Sequence, residues 1–326
     1  MVNKKPTVVS TFAGGGGSSL GYHWAGFDEL LAIDFDKNSC ETLSANFDFP
    51  IWQRDIKEVT PEEILNFCKI KKGELDILDG SPPCQGFSTA GKRNLNDSRN
   101  DLFLDFVRLV NGLQPKVFVM ENVSGMIKGR YKGKFNEILK TLKDTEYNVK
   151  VKLMNAMWYE VPQSRERLFF IGVRKDLNIK PTFPEPSKTF ITVEQSIKDL
   201  INSEPDRPIK DWLVKAYREL KPNNIEKIFI KYKGTSGSSF SIKLLRKNYP
   251  SNTLTKTIIS VTGLLHYCKP RYITILEAKR LCSFPDNYIL LGDYSEQWAR
   301  LGNSVMPKTM YHIAKHIKDK ILTNCN

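Results

Sequence analysis

A thiol and a carboxylate are the two side chains of this sequence with the clearest chemical potential. Cys84 lies in the segment Gly-Ser-Pro-Pro-Cys-Gln (residues 80–85), directly after a predicted buried strand at residues 75–79. Glu121 begins Glu-Asn-Val at the end of another predicted strand, residues 117–121. A thiol and a carboxylate at neighbouring strand ends suit attack on an electron-poor ring whose adjacent nitrogen is protonated at the same time.

The surroundings of Cys84 favour an exposed nucleophile. A lone cysteine is usually a small buried hydrophobic residue, but Cys84 follows two prolines and precedes a polar segment with two glycines, residues 85–91. A zinc deaminase also carries Pro-Cys, but it requires a second cysteine three residues later and a His-x-Glu motif. Phe87 occupies the position of that second cysteine, and none of the four histidines precedes x-Glu. These differences exclude deamination, and no metal site is predicted.

A glycine-rich turn at residues 12–21 follows the first predicted strand and begins a helix. Such a turn lets a ligand approach the backbone closely, and the start of the helix favours a negative group. Asp34, at the end of the second predicted strand, suits ribose hydroxyls, and Asp55 could accept from an adenine amino group. Each aspartate alone would more often be a turn or cap residue. Together these features predict an adenosine-type cofactor, and they serve hydride and methyl transfer equally well. Cys84 favours methyl transfer, because hydride transfer has no use for it.

The elements that must position these residues alternate between strand and helix in the first half of the chain. Strands are predicted at residues 7–12, 30–34, 75–79, 117–121 and 168–173, and helices at 18–25, 37–46, 101–113 and 135–142. This order is typical of an α/β doubly wound sheet. Prolines interrupt the chain from residue 181, and regular alternation returns only near residue 272. We therefore predict a large domain, residues 1–176 completed by a C-terminal helix at 299–326, and a smaller irregular domain at residues 177–298.

Charge points to a polyanionic partner. The 326 residues carry a formal net charge of +13. Residues 227–256 contain seven Lys or Arg and no acid, with aromatic residues between them. Such a run is about as often a merely solvated face as a phosphate-binding surface. The sequence has no segment of ~20 apolar residues and no Cys-x-x-Cys pair, so we expect a cytoplasmic protein with reduced thiols.

Two arginines near the last predicted strand leave two interpretations open. Arg165 and Arg167 lie in Pro-Gln-Ser-Arg-Glu-Arg, residues 162–167. Either one could orient a carboxylate or a base carbonyl, and either could form an ordinary surface ion pair.

Taken together, these segments resemble the cytosine-C5 DNA methyltransferases of bacterial restriction–modification systems. Pro-Pro-Cys-Gln, Glu-Asn-Val and Gln-x-Arg-x-Arg in this order are highly specific. The resemblance also includes Asp97-Ser98-Arg99, Arg271-Tyr272-Ile273-Thr274, Phe284-Pro285-Asp286 and Gly302-Asn303-Ser304-Val305.

The resemblance implies a Rossmann-like S-adenosylmethionine-binding domain and a smaller target-recognition domain. It implies that Cys84 is the nucleophile, that Glu121 contacts N3 of a flipped cytosine, and that Arg165 helps to hold the base. The residues expected to bind S-adenosyl-L-methionine are Phe12, Gly14, Gly16, Asp34, Phe35, Asp55, Ile56, Asn303 and Val305. Relatives more often carry Glu at the position of Asp34.

The implied function is DNA (cytosine-5-)-methylation of a specific double-stranded DNA sequence by a monomer, protecting host DNA from a cognate restriction endonuclease. Two alternatives share the scaffold: a tRNA cytosine-5 methyltransferase, and a catalytically silent nucleic-acid-binding protein. The sizeable basic segment disfavours the first, and the intact thiol, carboxylate and glycine turn disfavour the second.

Overall fold

A computed structural model describes residues 5–83, 102–127, 132–203, 207–221, 224–234, 242–256 and 263–324. Cys84 and the predicted motif Asp97-Ser98-Arg99 lie outside the described residues.

The described chain alternates strands and helices along most of its length. The strands are β1 Thr7–Thr11, β2 Asp28–Asp34, β3 Ile51–Gln53, β4 Ile77–Gly80, β5 Val117–Val123, β6 Tyr147–Asn155, β7 Glu166–Arg174, β8 Arg207–Pro208, β9 Ile242–Leu244, β10 Gly263–Leu265 and β11 Arg271–Tyr272. The α-helices are α1 Gly17–Trp24, α2 Lys37–Ser44, α3 Pro61–Cys68, α4 Leu102–Leu113, α5 Lys132–Lys143, α6 Val193–Ile197, α7 Asp211–Ala216, α8 Ile225–Lys233, α9 Ile275–Leu281, α10 Tyr294–Asn303 and α11 Pro307–Lys320.

Seven strands form the main sheet, in the order β3-β2-β1-β4-β5-β7-β6. The first five run parallel, and β7 is antiparallel to both β5 and β6. Every residue of β1 and β4 is buried, as expected where helices cover both faces of a parallel sheet. The α/β fold class predicted from the alternation is confirmed.

Three elements of this sheet region were not predicted: the short strand β3, helix α3 and strand β6. Helix α3 begins with a capping box in which Thr60 and Glu63 bond each other's backbone, and Pro61 occupies its first turn. Strand β6 lies at the edge of the sheet and is half-exposed or exposed except at Tyr147 and Met154. Residues 147–153 alternate strictly between apolar and polar side chains, which is a strand signal that the prediction missed.

The chain divides into two compact units. Unit 1 comprises Met1–Asn155, Glu166–Pro186 and Pro307–Asn326, and unit 2 comprises Ala156–Arg165 and Ser187–Met306. Unit 2 contains α6 to α10 and a four-stranded sheet in the order β8-β11-β10-β9. Helices α7 and α8 lie in the stretch predicted to be irregular, and their apolar residues form a core of their own around Leu213, Ala216 and Phe229. The basic run is therefore partly helical. Among the described helices, none is long and apolar enough to cross a membrane.

Two buried carboxyl groups anchor α1 to the sheet. Tyr22 donates to Asp79 of β4 at 3.1 Å, and Ser19 donates to Glu29 of β2 at 2.9 Å. Burial raises the pKa of Glu29 to about 8 and that of Asp79 to about 7. Within the described chain, neither carboxyl forms an ion pair with Lys or Arg. Beneath α1, the hydroxyl groups of Ser19 and Tyr22 therefore satisfy these two buried carboxyl groups in place of Lys or Arg.

We predict that Glu29→Gln changes how stability depends on pH. The pKa of Glu29 is higher in the folded protein than in the unfolded chain, where a glutamate titrates near ~4.3. Between these values the folded state binds more protons, so its stability falls as pH rises. Glutamine keeps an acceptor for Ser19 and removes the titration. The free energy of unfolding of the variant, relative to the parent, should therefore rise steadily from pH 5 to pH 8, by up to about 1.4 kcal/mol per pH unit. Melting temperatures of both proteins across this pH range would show the same trend.

The exposed Glu62 provides the matched control. Glu62→Gln should leave the difference from the parent flat across the same pH range. An equally flat difference for Glu29→Gln would show that Glu29 does not bind its proton in the folded state.

Candidate active site

The order of the strands brings three predicted motifs together at the carboxyl ends of the parallel strands of the main sheet. Strand β4 pairs in parallel with β1 on one side and with β5 on the other. The glycine turn follows β1, the Pro-Pro-Cys segment follows β4, and Glu121 lies near the end of β5. The chain moves outward from β1 through β2 to β3 and then returns to β4. Ligands of open α/β sheets bind at the carboxyl ends of the strands at such a reversal.

The glycine turn has an unusual backbone at its first residue. Phe12 has a φ of 53°, a left-handed conformation that costs a non-glycine residue roughly 1–2 kcal/mol. Gly14 and Gly16 are also left-handed, with φ of 54° and 79°. Gly16 precedes α1 directly, so the first free N–H groups of that helix lie at the turn. Strain of this kind concentrates at ligand-binding sites.

Asp34 is bonded to the backbone around it. Its carboxylate accepts from the N–H of Gly14 at 2.7 Å and from the N–H of Asp36 at 2.9 Å. These bonds fix the orientation of the carboxylate. Asp34 thus contacts the glycine turn directly, and its predicted contact with ribose hydroxyls stays a prediction.

The other predicted cofactor residues of unit 1 differ in their exposure. Phe35, next to Asp34, is 72% exposed at the strand end, whereas phenylalanine is more often buried. Asp55 is exposed, and its Oδ1 accepts from the N–H of Lys57 at 3.1 Å as the cap of a short 3-10 turn. Ile56 is buried and packs in the main hydrophobic core.

One buried hydrogen bond joins the Pro-Pro-Cys segment to the Glu-Asn-Val segment. The Nδ2 group of Asn122 donates to the carbonyl oxygen of Pro82 at 3.2 Å, and Asn122 is almost completely buried. Gly80 ends β4 where any Cβ atom would lie 2.6 Å from Thr11 and 2.7 Å from Phe106. Pro82 therefore lies beside the end of β5, and only one residue, Pro83, separates it from Cys84 along the chain.

Glu121 pairs with Arg167 across the β5–β7 ladder. The Nε atom of Arg167 lies 2.8 Å from Oε1 of Glu121, and both side chains are mostly buried. Burial lowers the pKa of Arg167, and the nearby Glu121 partly offsets that effect. A charge-assisted bond of this kind fixes the carboxylate. The arginine that orients Glu121 is thus Arg167, one of the two candidates that the sequence left open.

Arg165 lies in unit 2 and is only 2% exposed. Its two Nη groups donate to the carbonyl oxygens of Leu254 and Gly302, both at 2.9 Å. The neighbouring Gln163 is also buried, where it accepts from the N–H of Leu254 and donates to the carbonyl oxygen of Leu281. These contacts are structural ties within unit 2. The predicted contact of Arg165 with a base stays a prediction.

Asn303 and Val305 also belong to unit 2. Asn303 is the exposed last residue of α10, and Val305 is buried two residues later. Their predicted contacts with a cofactor stay predictions. Among the described residues, no three His, Cys, Asp or Glu side chains converge as metal ligands would.

Comparison with known proteins decides the family. The profile of the C-5 cytosine-specific DNA methylases matches residues 7–319. The chain belongs to this family. It is 35% identical to the Type II methyltransferase M1.HphI of Haemophilus parahaemolyticus, over 95% of this chain and 86% of the relative. It is 30% identical to the Type II methyltransferase M.FnuDI of Fusobacterium nucleatum, over 96% of this chain and 94% of the relative.

Solved structures agree with the fold of this methylase family. A DNA modification methyltransferase encoded within a prophage of E. coli superposes with a TM-score of 0.76 at 27% identity, covering 98% of this chain and 100% of that one. A DNMT2 mutant of Spodoptera frugiperda superposes with a TM-score of 0.69 at 18% identity, covering 98% and 99%. At that lower identity, the likeness concerns the fold alone.

We predict that Arg167→Gln lowers methyl transfer far more than it lowers stability. The change leaves the carboxylate of Glu121 without its fixed donor, and removal of one positioning contact typically costs about 10²-fold in rate. Radioactive methyl transfer from labelled S-adenosylmethionine to DNA would measure the loss, and S-adenosylhomocysteine binding should change little. Arg165→Gln is the matched comparison, because it removes two buried bonds in unit 2 and should lower the melting temperature most. Equal turnover for Arg167→Gln and the parent would contradict the role assigned to the ion pair.

Proposed function

We propose that this protein is a DNA (cytosine-5-)-methyltransferase that acts on a specific sequence of double-stranded DNA. The observation that carries the proposal is the arrangement at the end of β5. Arg167 fixes Glu121, and the adjacent Asn122 bonds Pro82, two residues before Cys84. In a chain of the cytosine-C5 family, cytosine chemistry needs a thiol and a carboxyl group. Here Glu121 is fixed beside the segment that carries the thiol of Cys84.

The residues around the glycine turn fit S-adenosyl-L-methionine. The left-handed backbone of Gly14 has no neighbouring atom within 4 Å of a Cβ position, so a ligand can approach it. The start of α1 would hold the carboxylate of the cofactor, Asp34 would accept from the ribose hydroxyls, and the exposed ring of Phe35 would contact the adenine. Phe12, Asp55, Ile56, Asn303 and Val305 are further cofactor residues in this proposal. When bound, the cofactor supplies a methyl group on a positively charged sulfur.

The chain's own residues would act on a cytosine that has left the duplex, because a thiol cannot approach C6 face-on within stacked DNA. Cys84, as a thiolate, forms a bond to C6 while Glu121, in its protonated form, gives its proton to N3, which makes C5 electron-rich. Arg167 holds Glu121 in the required orientation throughout. After C5 has gained its methyl group, loss of the C5 proton restores the double bond and expels the Cys84 thiol.

Several further features of the proposal rest on the relatives and on charge. The relatives bear the names of Type II methyltransferases, so we infer that this enzyme protects host DNA from a restriction endonuclease that cuts the same site. The net charge of +13 suits a polyanionic duplex. We propose that the enzyme acts as a cytoplasmic monomer.

We predict that Cys84→Ser abolishes methyl transfer and that a duplex containing 5-fluorocytosine traps the parent protein. Fluorine at C5 cannot leave as a proton, so the bond between Cys84 and C6 should persist. Denaturing electrophoresis would detect the covalent complex, and peptide mapping would locate the bond. Cys68→Ser is the matched control, because Cys68 is a half-buried cysteine of α3, and that variant should be trapped like the parent. A fully active Cys84→Ala variant would end the proposal.

The choice of nucleic acid is tested separately. Expression in a host without DNA methylation, followed by bisulfite sequencing, should reveal 5-methylcytosine in one short sequence context. Purified enzyme should transfer labelled methyl groups to that duplex and not to tRNA. Transfer to tRNA alone would establish the RNA alternative, and transfer to neither would favour the catalytically silent one.

A further inference from the structure

The proposed mechanism makes two opposite demands on Glu121. This residue must carry a proton when it acts on N3 of cytosine, yet the Nε atom of Arg167 lies 2.8 Å from its Oε1. A cation at such a distance favours the ionised form of a carboxyl group. A negative charge close to Glu121 would act in the opposite sense and help it to keep its proton. The structure contains a second carboxyl group on the neighbouring strand, that of Asp79 in β4.

The register between β4 and β5 places the two carboxyl groups on one face of the sheet. Asp79 pairs with Val119, and Glu121 follows Val119 by two residues in β5. Side chains alternate between the two faces along a strand, and paired residues share a face, so all three lie on the same side. With strands about 4.8 Å apart and a rise of about 3.3 Å per residue, the Cα atoms of Asp79 and Glu121 are roughly 8 Å apart.

Both carboxyl groups are shielded from water, which strengthens any interaction between their charges. Asp79 is 3% exposed, and the side chain of Glu121 is 13% exposed. Charges separated by protein interact more strongly than charges separated by water. Among the described residues, no Lys or Arg forms an ion pair with Asp79, whereas Glu121 has Arg167. When Asp79 is ionised, its charge therefore acts on Glu121 without a cation of its own to cancel it.

The surroundings of Asp79 bring its titration into the neutral range. Burial raises the pKa of Asp79 to about 7, against the hydrogen bonds from Tyr22 and Ser18, and the charge of Glu121 raises it further. Among the described residues, the ionisable groups that act on Asp79 are Tyr22 on α1, Glu29 on β2 and Glu121 on β5. Tyr22 stays neutral, because burial raises its pKa. Asp79 therefore gains its negative charge as the pH rises through 7.

The influence of two like charges on each other is mutual. Because the charge of Glu121 favours the protonated form of Asp79, the charge of Asp79 favours the protonated form of Glu121 by the same free energy. A proton that leaves Asp79 thus makes it easier for Glu121 to hold one. The pair keeps one proton and one negative charge, whichever of the two carboxyl groups carries the proton.

We propose that Asp79 is a positioning residue for methyl transfer, whose negative charge keeps on Glu121 the proton that N3 of cytosine receives. This inference rests on the proposed function. Asp79 acts through Glu121 and does not contact the base. Arg167 fixes the orientation of the Glu121 carboxyl group, and Asp79 sets its protonation. A general acid is most effective when it still holds its proton near the pH at which the enzyme works, and the charge of Asp79 moves Glu121 in that direction.

The first test compares the pH dependence of kcat/KM for methyl transfer between the parent and Asp79→Asn. Asparagine keeps an acceptor for Tyr22 but cannot ionise. Because Asp79 is protonated well below pH 7 and charged well above it, the two proteins should have similar kcat/KM at pH 5.5. At pH 8.5 the parent should be up to about tenfold faster, the effect of about one pH unit of coupling. A merely structural role would slow the variant equally at every pH, and a ratio independent of pH would overturn the proposal.

Glu29→Gln is the matched control for the kinetic test. Glu29 is also a buried carboxyl group that bonds α1, but β1 and β4 separate its strand from β5. The ratio of kcat/KM between the parent and Glu29→Gln should therefore not rise between pH 5.5 and pH 8.5. A rise as steep as that for Asp79→Asn would assign the effect to the anchoring of α1 and would refute the specific coupling of Asp79 to Glu121.

The titration of Asp79 itself provides a second test that needs no methyl transfer. Carbon-13 NMR of protein labelled at the aspartate carboxyl carbons should show a signal that titrates near pH 7 and is missing from Asp79→Asn. In Glu121→Gln this signal should titrate about one pH unit lower, because the neighbouring charge is gone. An unchanged titration would overturn the coupling even in an active enzyme, whereas a shifted titration in a protein that methylates nothing would refute only the proposed function. If Asp79→Asn does not fold, the parent and Glu121→Gln still decide the question.

Discussion

The proposed chemistry depends on the placement of β4 between β1 and β5. Parallel pairing on both sides brings three strand ends to one edge, and no local feature of the sequence could do this alone. Gly80 makes the placement possible, because a side chain there would collide with Thr11 and Phe106. The bond from Asn122 to Pro82 then joins two of the ends. In the proposed mechanism, a nucleophile and a proton donor that are far apart in the sequence act on one ring.

The helix that follows the glycine turn is held from two directions, which explains how the turn can keep a strained residue. Beneath it, Tyr22 and Ser19 bond the buried carboxyl groups of Asp79 and Glu29. From the other side, α11 approaches so closely that a Cβ on Gly21 would lie 2.6 Å from Met310. Because packing fixes α1 in this way, the left-handed conformation of Phe12 is imposed by its surroundings rather than by its own preference.

Local patterns in the sequence predicted the fold class and most of unit 1, since buried parallel strands read as apolar runs and their helices as amphipathic repeats. The contact between Asp34 and Gly14 was not predicted, because spacing indicated only that this acid suits a ribose. Helices α7 and α8 of unit 2 were missed, because they are short, lack side-chain caps and carry basic residues. The role of Asn122 was missed as well. Its partner is the backbone of Pro82, 40 residues away, and no sequence pattern marks such a bond.

Gln163, Arg165 and Arg167 show why one short motif can be so specific. The chain passes from unit 2 to unit 1 between Arg165 and Glu166. Gln163 and Arg165 therefore satisfy buried carbonyl groups in unit 2, whereas Arg167 pairs with Glu121 in unit 1. Lysine could not replace either arginine, because Arg165 uses both Nη groups of its planar guanidinium and Arg167 uses its Nε atom, each in a mostly buried position. The motif thus meets two independent packing requirements within five residues, and only the three-dimensional structure separates the arginine that orients the carboxylate from the one that holds its own unit together.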